Sequence, residues 1–108
     1  MRTREHALGT IVIPGPDDPL DALYRLREHT PEYWCSDIET TGFKQFTERF
    51  AVRLVQVGTR DEAWLLRPEW HGQAITHMTA GAWWHNATYD ALGLESGGLA
   101  TYADTMAE

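Results

Sequence analysis

The sequence predicts an α/β domain with a mixed sheet flanked by helices. Three observations carry that expectation. Short runs of strand character (8–13, 33–39, 50–57, 63–66) are interleaved with two segments of helical spacing. Turn residues stand between the runs, among them Pro14-Gly-Pro, Gly58 and Gly97-Gly98. Apolar residues make up 43% of the 108 residues and include five Trp, enough to bury a core rather than stay disordered.

The elements follow in order. Residues 8–13 (LGTIVI) read as a strand. The Pro14–Pro19 turn feeds a helix, with Asp17 or Asp18 as its N-cap and Pro19 in its first turn. Leu20, Leu23, Tyr24 and Leu26 give that helix an apolar face, and Thr30-Pro31 ends it, because a residue before proline avoids the α region. Residues 33–39, 50–57 and 63–66 form an antiparallel meander. A helix follows from Pro68 to about Met78. A short strand at 83–85, a helix at 88–94 and a strand at 102–104 complete the chain. Residues 1–31 read as an N-terminal strand–helix extension, and 32–108 as the domain proper.

Composition narrows the function classes. One cysteine, Cys35, excludes an internal disulfide and a cysteine-based zinc site, and fits a reducing cytoplasm. No run approaches the roughly 20 apolar residues of a membrane helix, and no signal peptide is visible. The net charge of −7 is unusual for a dedicated nucleic-acid binder. All nine Lys and Arg nevertheless lie at or before Arg67, with Lys44, Arg49, Arg53 and Arg60 in one segment. Enzymes that cut nucleic acid through metals also need carboxylates, so an acidic total is compatible with them.

Asp37-Ile-Glu39 is the first feature with chemical content. Alternation along a strand sends both carboxylates to one face and Ile38 to the other. Adjacent carboxylates repel unless a cation lies between them, and an all-oxygen donor set suits Mg²⁺ or Mn²⁺. His71 and His77 lack zinc spacing. His85 reads as structural, Asp104 as a cap or strand-end acid, the five Trp as mostly core, and Cys35 as an inert residue of a central strand.

In its full context, Asp37-Ile-Glu-Thr-Thr-Gly42 resembles the first motif of the DEDD-superfamily 3′→5′ exonucleases. About 50 residues later, His85-Asn-Ala-Thr-Tyr-Asp90-Ala-Leu resembles their second motif, Asn-x-x-(Phe/Tyr)-Asp. Val52-Arg-Leu-Val-Gln-Val-Gly58 and Glu62-Ala-Trp-Leu-Leu66 resemble the two intervening strands, and Ala103-Asp-Thr-Met106 the start of the next step. The chain is thus similar to the proofreading domain of family A, DNA polymerase I-like polymerases of bacteriophage type.

The resemblance implies an RNase H-like sheet and two-metal hydrolysis of single-stranded DNA from its 3′ end. Asp37, Glu39 and Asp90 would hold two Mg²⁺ or Mn²⁺ ions roughly 3.5–4 Å apart. Thr40, Phe43, Asn86 and Tyr89 would contact the 3′ terminus, Phe43 by stacking that is indifferent to sequence. The family's third motif, Tyr-x-x-x-Asp or His-x-x-x-x-Asp, has no counterpart after Asp104. The expectation is therefore an incomplete domain, nearly inactive alone, whose partner is a polymerase domain or a further exonuclease segment in cis or in trans. An RNase D-like exoribonuclease, or a degenerate nucleic-acid-binding or docking module, are the alternatives.

Overall fold

In a computed structural model of the protein, residues 1–41 and 48–84 are described. They form a mixed six-stranded sheet and two α-helices. The strands are β1 (Arg2–His6), β2 (Gly9–Ile13), β3 (Cys35–Thr40), β4 (Val52–Gly58), β5 (Glu62–Leu66) and β6 (Trp83–Trp84), in the spatial order β1-β2-β5-β4-β3-β6. The helices are α1 (Asp21–His29) and α2 (Pro68–Thr79), and a single 3₁₀ turn at Pro31–Tyr33 leads into β3. The strands β3, β4 and β5 form the expected antiparallel meander, and β6 lies parallel to β3. The elements read at 88–94 and 102–104 lie outside the described residues.

The first 31 residues are built into this sheet. The strand β2 runs parallel to β5, and β1 hairpins onto β2 through Ala7-Leu8. Every side chain of β1 is exposed, so this charged outer strand is held by backbone pairing and by the Thr10 hydroxyl, which donates to the Glu5 carboxylate at 3.1 Å, and it carries no apolar pattern. Charge on an outermost strand also discourages pairing with further chains.

Helix α1 starts later than its sequence signal. Leu20 takes the N-cap position without a side-chain cap. Asp18 instead closes the preceding turn: its carboxylate accepts the Gly15 N–H at 2.7 Å and pairs with the Met1 amino group at 2.8 Å. These contacts, the Met1 ammonium first, hold its carboxyl below the usual range. The short strand β3 likewise begins at Cys35, because Pro31 directs Tyr33 into the 3₁₀ turn.

One face of the sheet builds the core. Val12, Trp64, Leu66, Val55, Val57 and Ile38 pack there with Leu23 of α1 and with Ile75 and Met78 of α2. Trp34 is also fully buried, and its indole donates to the Met78 carbonyl at 2.8 Å. Trp70 and Trp83 are 40% and 44% exposed, which corrects their assignment to the core. Cys35 is exposed as well. Among the described residues no helix is long and apolar enough to cross a membrane.

Arg27 joins the two helices. Its guanidinium donates to the carbonyls of His77, Met78 and Ala80, at the C-terminal end of α2, and lies 5.7 Å from the Trp34 ring. Those carbonyls include groups that a helix end leaves without backbone partners, and a cation there also complements the helix dipole. Arg27→Ala is expected to cost about 2 kcal/mol, the scale of a lost charge-assisted hydrogen bond with its partner left unsatisfied. Denaturant unfolding measures this, and a change below about 0.5 kcal/mol, the level of an ordinary surface substitution, contradicts the role.

Candidate metal centre

Along β3, exposure alternates residue by residue. Ser36 and Ile38 face the core, whereas Cys35, Asp37 and Glu39 face away from the helices. The pleat alone accounts for this, since residues two apart share a face. Asp37 lies opposite Gln56 and Glu39 opposite Leu54 on β4, so both acids stand on a central strand. One Asp37 oxygen, Oδ1, accepts the Ile38 N–H at 2.9 Å.

The register then breaks between Glu39 and Thr40. Glu39 pairs with Leu54 and Thr40 with Val52, which leaves Arg53 as an extra residue in β4. Strict alternation through this strand would send Arg53 inward with Val55 and Val57. The bulge prevents that: Val52, Val55 and Val57 are buried, while Arg53 is exposed and Leu54 and Gln56 are half-buried. A bulge re-aims side chains in this way. Thr40, half-buried, ends β3.

The two acids line different depressions of the open face. Asp37 borders an apolar hollow of about 450 Å³ with Cys35, Gln56, Gly58, Ala63 and Trp83. Glu39 borders a groove of about 480 Å³ with Arg53, Leu54, Arg67 and Glu69. Along β3 the two residues are separated by roughly 7 Å of strand rise.

Carboxylate oxygens are the right donors for a hard divalent cation, and both stand on the solvent side. Two acids alone are a small donor set. Among the described residues, no three His, Cys, Asp or Glu side chains converge as a metal-binding group. The third expected ligand, Asp90, lies outside the described residues, as do Phe43, Asn86 and Tyr89. Strand β6 lies beside β3. It pairs Trp83 with Cys35 and Trp84 with Ser36 in parallel, so it points along β3 toward Asp37.

His71 and His77 take no part in this face. The buried His71 donates through Nε2 to the Gly15 carbonyl at 2.7 Å, and His77 tilts against Tyr24 at 5.4 Å between ring centroids. Sequence reasoning grouped Arg53 with other basic residues and did not place it beside Glu39. Nothing in a strand-like run announces a bulge. No protein-family model matches the chain, and no curated protein matches it.

Proposed function

We propose that this chain carries the acidic centre of a metal-dependent 3′→5′ exonuclease module with an RNase H-like sheet, acting on single-stranded DNA. The observation that carries the reading is the placement of Asp37 and Glu39 side by side on the solvent face of a central strand, in a sequence context resembling the DEDD motifs. The element order supports it: an antiparallel meander, a helix, then a strand parallel to the first strand of the meander. Strand β6 runs in the same direction as β3, beside Cys35 and Ser36, which is compatible with a third acid supplied by the segment after it.

In this reading Asp37, Glu39 and Asp90 hold Mg²⁺ or Mn²⁺, which supplies an activated water and charge stabilisation for phosphodiester hydrolysis. The chain's own contribution is positional. The pleat fixes the spacing of Asp37 and Glu39, and the Ile38 N–H orients one Asp37 oxygen. Asn86, Tyr89, Thr40 and Phe43 hold the 3′ terminus, and a polymerase domain or further exonuclease segment is the natural partner.

The test follows a 5′-labelled single-stranded oligonucleotide with Mg²⁺, using this chain and a version carrying the family's third-motif segment. Stepwise shortening from the 3′ end with release of nucleoside 5′-monophosphates is expected, and the appended segment should raise its rate. Faster cleavage of an RNA oligonucleotide would point to an RNase D-like enzyme. Binding without cleavage by both proteins would overturn the enzymatic reading in favour of a docking module.

A further inference from the structure

We infer that the groove beside Glu39 takes the phosphodiester backbone of a single-stranded nucleic acid, with Arg53 and Arg67 as its phosphate contacts. This rests on the proposed role of Asp37 and Glu39 and adds a path by which the strand reaches them.

The bulge in β4 is the first support. It turns Arg53 out of the core and into the groove that Glu39 also borders. Among the described residues no carboxylate forms an ion pair with Arg53. An exposed guanidinium set by a backbone irregularity, in the groove that Glu39 borders, is suited to bind a phosphate.

Arg67 is the second support. Its guanidinium stacks on the Trp70 ring at 4.6 Å, which holds the planar group in place. Its ion pair with Glu69, at 3.2 Å, joins two side chains that are each about half exposed, so it contributes little and can yield to a phosphate. The half-buried Leu54 gives the groove an apolar wall, against which a sugar or base can rest. At about 480 Å³ the groove falls within the roughly 300–1,000 Å³ of ligand sites. Glu39 and Glu69 border the same groove, so a phosphodiester there is held chiefly by the two arginines.

The experiment is fluorescence anisotropy of a labelled oligo(dT) in EDTA, so that neither cleavage nor a cation contributes. The Arg53→Ala/Arg67→Ala protein is expected to bind at least tenfold more weakly than the unaltered chain. The slope of log affinity against log salt should fall by about 0.7 for each arginine that meets a phosphate. Arg53→Lys should retain part of the affinity, and circular dichroism should show every variant folded. Equal affinity and equal slope in the double variant overturn the inference, as does oligonucleotide binding that the unaltered chain lacks. A Mn²⁺-dependent melting shift measured on the same proteins separates the two claims. If that shift depends on Asp37 while the arginines prove irrelevant to binding, the groove fails and the acidic centre stands. If the arginines matter and the shift is absent, the reverse holds.

Discussion

In the protein carrying the third-motif segment, Asp37→Ala is expected to lower metal-dependent mononucleotide release by about three orders of magnitude or more, equivalent to roughly 4 kcal/mol of barrier. Removing this carboxylate withdraws a donor from the centre of the proposed site and leaves Glu39 to face the substrate phosphate without full compensation. Because Asp37 is exposed and, among the described residues, its side chain bonds only to the adjacent Ile38 N–H, the fold should survive the change. The loss then belongs to chemistry rather than to unfolding. Metal binding to the native state adds stability in proportion to the logarithm of its saturation. Ten millimolar Mg²⁺ at a dissociation constant near 1 mM corresponds to about 1.4 kcal/mol, or on the order of 5–10 °C in Tm for a domain of this size. The Asp37→Ala protein should show little of that shift. A full shift in the variant places the cation elsewhere.

Gly58→Ala is expected to destabilise the fold by about 3 kcal/mol or more, lowering Tm by on the order of 10–20 °C. Gly58 has φ +158° and ends β4 where the chain turns tightly into β5. There the Thr59 N–H donates to the Glu62 carbonyl at 2.9 Å. A β-carbon at position 58 would fall on the Glu62 carbonyl oxygen, with the backbone of Ala63 close behind. Backbone cannot give way as a flexible side chain can, so relief requires separating β4 from β5. Gly15→Ala is the control: the added carbon would meet only the Asp18 carboxylate, at 3.3 Å, and a small change is expected. A thermal melt by circular dichroism distinguishes them, and comparable losses in both variants contradict the explanation.

The parts of this fold that could be read in the sequence are those in which side chains bury themselves. The apolar positions of 63–66, the spacing of Leu20, Leu23 and Leu26, and the alternation around Ile38 all follow from one-sided packing. Strand β1 could not be read, because Arg2-Thr-Arg-Glu-His buries nothing and pairs mainly through its backbone. The α1 start was misread because Asp18 has the chemistry of an N-cap but uses it to close its own turn. Trp70 and Trp83 show that an aromatic residue in a short chain does not have to be core.

The candidate site divides along the same line. A pleat of period two is enough to place Asp37 and Glu39 on one face from the sequence alone. The position of Arg53 depends on a register shift, which is a property of two paired strands and not of either run of residues. Asp90 comes from the motif resemblance, which expects it beside Asp37 on the open face.

An anomalous difference map from a crystal of the protein grown or soaked in Mn²⁺ tests the convergence of the three acids most directly. Metal peaks are expected on the open face of the sheet, roughly 2 Å from carboxylate oxygens of Asp37 and Asp90, with Glu39 a ligand of one ion. Peaks elsewhere, or Asp90 on the helix-covered face opposite Asp37, would contradict it.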